Sequence, residues 1–165
     1  MFADDILDTA ARLVDRLHAG KVTLATAESC TGGLVAAAVT EVAGASSVFD
    51  RGFVTYSNEA KSAELGIDPA LIARHGAVSG EVAIAMAEGA LHHSLAAIAV
   101  SITGIAGPGG ATATKPVGLV HLAVAQTGRR SVSESCRFGD IGRRRVREAA
   151  VRKAFEMLHR ALDET

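Results

Sequence analysis

Cysteine, proline, net charge and long apolar runs are all scarce in this chain, and each scarcity excludes something. Only 2 of the 165 residues are cysteine, Cys30 and Cys136, too few for the disulfide framework of a small secreted domain. There is no N-terminal leader pattern and no uncharged apolar stretch long enough to span a bilayer, which predicts a cytoplasmic protein without a membrane partner. A net charge of −1 supplies no global attraction for nucleic acid, so no nucleic-acid partner is expected. The histidines, at 18, 75, 92, 93, 121 and 159, include no His-x-His or His-Glu-x-x-His, so no metal site is predicted; a helix would turn adjacent His92 and His93 to different sides. With 3 prolines and 48% hydrophobic residues, the chain is long enough for one ordinary core and too short for two comfortable ones. A single domain over 1–165 is expected, with a homo-oligomer left open.

What is present is an alternation of helical and strand-like segments. Phe2, Ile6, Leu7, Ala10, Leu13, Val14 and Leu17 recur at three-to-four spacing, predicting an amphipathic helix that Gly20 ends. A strand over 22–27 follows. The segment 34–42 is apolar nearly all round, predicting a helix covered on both sides. A strand over 48–57 precedes a short helix at 58–65 and another beginning at Pro69, a residue suited to the first helical position. Ser79 reads as the N-cap of a helix over 80–93. The segment 96–103 is apolar throughout, as a central strand covered on both faces would be. A glycine-rich loop, 104–116, leads to a hairpin of 117–125 and 131–138 across the turn at 126–129, and a helix over roughly 143–162 ends the chain. The pattern predicts the α/β class: a single three-layer α/β/α domain with a mixed, mostly parallel sheet, antiparallel at the hairpin.

Polar chemistry recurs where the predicted strands stop. Ala27-Glu28-Ser29-Cys30-Thr31-Gly32-Gly33 follows the first strand, Tyr56-Ser57-Asn58-Glu59-Ala60-Lys61 the second, and Ser101-Ile102-Thr103-Gly104-Ile105-Ala106-Gly107-Pro108-Gly109-Gly110 the third. Ligands of open α/β sheets sit outside the carboxyl ends of the strands, so the three junctions can converge on one site. At the first junction, helical N–H groups lacking internal partners would point at an anion forming beside Ser29. Taken alone, Ser29 reads more simply as an N-cap.

The blocks AESCTGG (27–33), VTYSNEAK (54–61), HGAVS (75–79), TGIAGPGG (103–110), KPVG (115–118) and the final Arg-rich helix together resemble the C-terminal domain of the competence/damage-inducible CinA family, over roughly residues 13–162. The resemblance implies a nicotinamide mononucleotide amidohydrolase, in a form without the additional N-terminal domain of larger members. Where the family commonly reads Gly-Asp-Arg, this chain reads Gly139-Asp140-Ile141-Gly142-Arg143, leaving Arg143 as the matching arginine.

Hydrolysing a carboxamide needs a nucleophile, a base, donors for the oxyanion and an acid for departing ammonia. Ser29 ranks first as nucleophile. Cys30 is second, because a helix start would assist its thiolate, and Ser57 third, fitting better as the N-cap of the next helix. Lys61 is the candidate base: in the first turn of a helix, with desolvation or a neighbouring arginine lowering its pKa, it could be neutral. The alternatives are a solvated surface lysine or, with poor support, His75 in a Ser-His-Asp arrangement. Tyr56 is placed to relay a proton to ammonia. Cys30, Thr31, Gly32, Gly33 and Asn58 are candidates for substrate contact, Thr103 for orienting the carboxamide or ribose, and Gly104 and Gly107 for an anion-binding nest. Arg143 and Arg147 share a helix face at i, i+4 and are assigned to the phosphate; Arg144 and Arg145 read as a solvated face. The expected reaction converts nicotinamide mononucleotide to nicotinate mononucleotide and ammonia through a serine acyl-enzyme without metal or organic cofactor. The competing reading is a non-catalytic module binding a pyridine nucleotide.

Overall fold

A computed structural model describes residues 2–163; Met1, Glu164 and Thr165, which belong to the expected 1–165 domain, lie outside the described residues. Six helices, α1 (Asp4–Gly20), α2 (Leu34–Thr40), α3 (Asn58–Leu65), α4 (Pro69–His75), α5 (Gly80–His92) and α6 (Arg143–Asp163), pack around five strands, β1 (Leu24–Glu28), β2 (Phe49–Val54), β3 (Ile98–Gly104), β4 (Leu119–Gln126) and β5 (Val132–Arg137). The sheet order is β2-β1-β3-β4-β5. β1 pairs in parallel with β2 and β3, while β4 is antiparallel to β3 and β5. Four strands therefore run one way and only β4 runs against them, the mixed sheet that the sequence predicts.

Helices α1, α2 and α6 cover one face and α3, α4 and α5 the other. β1 is buried at every position, and β3 at every position but its last, whereas edge strands β2 and β5 have no buried residue. This is what burial on two faces requires of central strands. The larger core joins Leu13, Leu17, Ile98, Val100, Leu122, Phe155 and Leu158; the smaller sits under α5, with Val82, Met86 and Ala90. The chain leaves β1 for β2 through α2 on one face and returns from β2 to β3 through helices on the other. The carboxyl ends of β1 and β3 thus flank a topological switch point, where open α/β sheets leave a crevice. Among the described residues no helix is long and apolar enough to cross a membrane.

Several local expectations are corrected. Gly20 does end α1, but Lys21 rather than a glycine takes the left-handed cap position, at φ 52°. Lys21 N–H donates to His18 O and Val22 N–H to Leu17 O, a Schellman closure that brings Val22 back over Leu17 and delays the strand to Leu24. β2 stops at Val54 rather than at 57, because after Thr55 N–H donates to Glu28 O the chain turns so that Ser57 Oγ accepts from Ala60 N–H and caps α3. The helix expected to be covered all round, α2, leaves Ala37 and Thr40 exposed, since α1 and α6 reach only its flanks. His92 and His93 do not diverge: α5 ends at His92, and their rings meet edge to face at 5.0 Å.

Candidate active site

β1 delivers Glu28 and Ser29 to the switch point. Glu28 is fully buried, and its carboxylate accepts the N–H groups of Gly33 (3.1 Å), Val35 (3.1 Å) and Ala36 (2.9 Å). Those donors open α2, whose N-cap, Gly33, has no side chain to hold them; a negative charge at that end of a helix is stabilised by the dipole as well. The expectation that the helix N-terminus faces an anion beside Ser29 is therefore corrected. Gly32 N–H is also taken, by Ser29 O, as are Leu34 N–H by Thr31 O and Ser29 N–H by Ile102 O. In the turn, the Thr31 N–H has no acceptor among the described residues and the Cys30 N–H faces only its own Sγ. Sequence reasoning missed Glu28, although a carboxylate ending an apolar strand before a helix without a Ser, Thr, Asp or Asn cap was a legible sign.

Lys61 comes from the first turn of α3 and, at 1% exposure, is as buried as a core leucine. Its Nζ lies 3.1 Å from Ser29 Oγ and 2.9 Å from Thr55 O. Burial pushes its pKa below the ordinary 10.5; the charge of a Cys30 thiolate would act the other way. That thiolate is absent at neutral pH, because burial, reinforced by the Glu28 charge, pushes Cys30 up to about 12. Desolvation, not a neighbouring arginine, is thus what depresses Lys61. As placed, Nζ donates to both Ser29 Oγ and Thr55 O; loss of one proton would leave a lone pair facing the Ser29 hydroxyl. For Cys30 the expectation reverses: the turn hinders its thiolate rather than assisting it.

Ser29, Cys30, Lys61 and Thr103 line one cleft of about 250 Å³. Its mouth is formed by Tyr56, Asn58, Gly104, Gly107 and Arg143, with Ala77 and Val78 as one wall. Arg143 spans the mouth, donating from Nη2 to Tyr56 OH at 2.6 Å and from Nη1 to Gly107 O at 3.0 Å. Tyr56 OH is therefore on the arginine rather than on Ser29 or Lys61. Thr103 Oγ donates to Ala77 O at 2.8 Å, so its hydroxyl proton orients the cleft wall. Lys115, to which sequence reasoning assigned no role, clamps the same wall from the glycine-rich loop, donating to His75 O (2.7 Å) and Val78 O (2.6 Å).

Other candidates lie outside the cleft. Arg147 passes behind the Ser29 turn, where Nη2 donates to Thr31 O at 2.8 Å; Thr31 itself is fully buried. Gly32 and Gly33, at φ 59° and 93°, shape the turn, and their N–H groups are taken. Ser57 is the α3 cap, and His75 Nδ1 sits 3.4 Å from Glu81. Among the described residues, no cluster of three or more His, Cys, Asp or Glu side chains is placed to hold a metal ion. A larger groove of about 650 Å³ outside α3 and α4 contains none of Ser29, Lys61, Thr103 or Arg143.

Comparison with known proteins agrees with this fold. Residues 7–162 match the family model of the CinA C-terminal domain, and the chain belongs to that family. It is 51% identical over 164 residues to a CinA-like protein of Mycolicibacterium vanbaalenii, covering 97% of this chain and 38% of the relative. It is 53% identical over 151 residues to a CinA-like protein of Anaeromyxobacter dehalogenans, covering 91% of this chain and 36% of the relative. The chain thus spans less than two fifths of these relatives. Among solved structures, the competence/damage inducible protein CihA of Agrobacterium tumefaciens superposes with a TM-score of 0.96 at 50% identity, covering 99% of this chain and 98% of that one. A CinA superfamily protein of Klebsiella pneumoniae gives 0.92 at 35% identity, covering 97% and 99%.

Proposed function

We propose that this CinA C-terminal domain hydrolyses the carboxamide of nicotinamide mononucleotide, with Ser29 as nucleophile and Lys61 as base. The observation carrying the reading is the buried 3.1 Å contact between Lys61 Nζ and Ser29 Oγ, in which the amine has no carboxylate partner among the described residues and is desolvated toward neutrality. A neutral amine beside a serine hydroxyl, next to free backbone donors, is the minimal apparatus of a serine acyl transfer.

In this mechanism Lys61 takes the Ser29 proton as Oγ bonds to the carboxamide carbon. The oxyanion falls to the N–H groups of Cys30 and Thr31. The C–N bond then breaks, and ammonia leaves with the proton that Lys61 had taken, delivered directly or through Tyr56. Water, deprotonated by Lys61, attacks the resulting ester, and the proton returns to Ser29. One water is consumed and one ammonia released, without metal or organic cofactor. Arg143 binds the phosphate at the cleft mouth.

The test is ammonia release from nicotinamide mononucleotide, nicotinamide and glutamine in the presence of a chelator, with mass analysis of the pyridine product. Conversion of the nucleotide amide to the acid is expected. Intact nucleotide after long incubation across roughly pH 6 to 10, the range a depressed lysine would titrate in, would assign the cleft to a binding module instead.

A further inference from the structure

We propose that Arg143 is an anion-operated latch on Tyr56: an anion arriving at the cleft mouth takes the guanidinium and frees the phenol to turn toward the reacting carboxamide. The inference rests on the amidohydrolase reading for its catalytic consequence, but the latch itself is a binding event that can be observed without turnover.

Arg143 holds two neutral acceptors, a phenol oxygen and a backbone carbonyl. Among the described residues it has no carboxylate partner, whereas Arg144, Arg152 and Arg160 on the same helix are paired with Glu148, Asp5 and Glu134. The charge is placed as the first residue of α6, where the helix dipole disfavours a cation. Hydrogen bonds from a guanidinium to an anionic oxygen are about twice as strong as those to neutral acceptors, and an anion accepts both Nη groups at once. The phenol and the carbonyl are placeholders that an anion displaces.

Displacement matters because of what is released. Tyr56 is 58% exposed and lines the same cleft as Ser29 and Lys61, so its ring has room to move and its hydroxyl loses its present partner. Gly107 O is released together with it, loosening the loop that closes the other side of the mouth. A substrate carrying a phosphate thereby supplies its own trigger, and the phosphate acts on the rate of the chemical step as well as on affinity. The phosphate-free riboside fills the cleft with the latch still closed.

Tyr56 is the single tyrosine and the chain has no tryptophan, so intrinsic ultraviolet emission reports Tyr56 alone. Titration of the full chain with inorganic phosphite, against sodium chloride at matched ionic strength, is expected to give a saturable change in that emission. In Arg143→Ala the emission should already be shifted and should not respond to phosphite; Arg143→Lys, which keeps the charge but cannot bridge two acceptors, should respond weakly. Phosphite should also raise the turnover of nicotinamide riboside by the wild type about tenfold or more, the factor that corresponds to about 1.4 kcal/mol, and should do nothing for Arg143→Ala. A flat emission titration, or an equal response in Arg143→Ala, overturns the latch. If nicotinamide mononucleotide is not hydrolysed at all, the amidohydrolase reading fails separately, and the emission titration still decides the latch.

Discussion

The floor and the mouth of the cleft are built in opposite ways. At the floor, Glu28, Ser29, Lys61 and Thr103 are each at most 9% exposed, and each is hydrogen-bonded to a neighbour that packing fixes. Glu28 alone holds three backbone donors. At the mouth, Tyr56 and Arg143 are exposed and bonded to each other and to a loop carbonyl by contacts that a charged ligand can replace. Buried polar groups must be satisfied internally, which makes the floor rigid and preorganised. The exposed pair is cheap to rearrange. Chemistry belongs where geometry is fixed, and recognition where it can be exchanged.

If this division holds, the largest effect comes from the floor. Ser29→Ala should lower kcat by a factor on the order of 10³ or more while nucleotide binding persists; measuring binding by calorimetry beside turnover separates the two, and retained turnover would break the assignment. Lys61→Met should lower kcat by about 10²–10⁴, the usual contribution of a general base, and Lys61→Arg should be no better, because a guanidinium stays protonated. Wild-type activity should rise with pH through a value below the ordinary 10.5 of lysine, since only the neutral amine accepts a proton. Stability follows the same sign. Lys61 in the folded protein gives up its proton before the unfolded chain does, so between the depressed pKa and 10.5 the wild type gains on Lys61→Met by up to about 1.4 kcal/mol for each pH unit. A stability difference independent of pH in that window would mean that Lys61 titrates normally.

The division also explains what the sequence disclosed. Strand ends with hydroxyls, glycines and a lysine were legible, because an open sheet gathers its strand ends and the alternation of elements was strong. That placed Ser29, Lys61, Tyr56 and Thr103 around one cleft, while Arg143 was chosen from the cationic start of the last helix and the family resemblance. Glu28 was overlooked as a cap, because caps are sought on the residue before a helix, and here a strand residue five positions upstream of Gly33 reaches over. Lys115 was missed because its partners, His75 O and Val78 O, are about forty residues away in sequence, beyond any local pattern. Arg147 shares a helical face with Arg143, but one turn along α6 is enough to carry it from the cleft mouth to the back of the Ser29 turn.

Glu28 tests the floor without touching the reacting atoms. Glu28→Gln presents N–H donors where three backbone donors already converge, and should cost about 2–4 kcal/mol, lowering Tm by on the order of 10 °C. It should also make Cys30 more acidic, since the Glu28 charge helps to hold that thiol up, which alkylation rates against pH would show. A smaller effect contrasts the two arginines. Arg147→Ala removes a hydrogen bond to Thr31 O, costs about 1–2 kcal/mol of stability, and should slow nucleotide and riboside equally. Arg143→Ala should slow the nucleotide and, with Tyr56 already released, speed the riboside. Equal losses from Arg143→Ala would place that residue with the floor and erase the contrast.

The smallest effect is expected at Cys30, although it follows Ser29 directly and is 6% exposed. A thiol whose pKa stands at about 12 is protonated at neutral pH, so it lacks the thiolate that attack on an amide requires. Cys30→Ala should therefore retain activity within about threefold and lose on the order of 1 kcal/mol of stability, the scale of a small core truncation. Its pH signature runs opposite to that of Lys61. The folded protein keeps the Cys30 proton above the ordinary 9.0, so stability from this group is complete below pH 9 and is lost as pH rises toward 12. Denaturant melts of wild type and Cys30→Ala between roughly pH 8 and 10.5, either side of the free thiol value, should show the wild type losing ground to the variant as pH increases. Rapid alkylation of Cys30 at neutral pH, together with loss of turnover in Cys30→Ala, would instead mean that the floor ionises its sulfur, and the nucleophile would be Cys30 rather than Ser29.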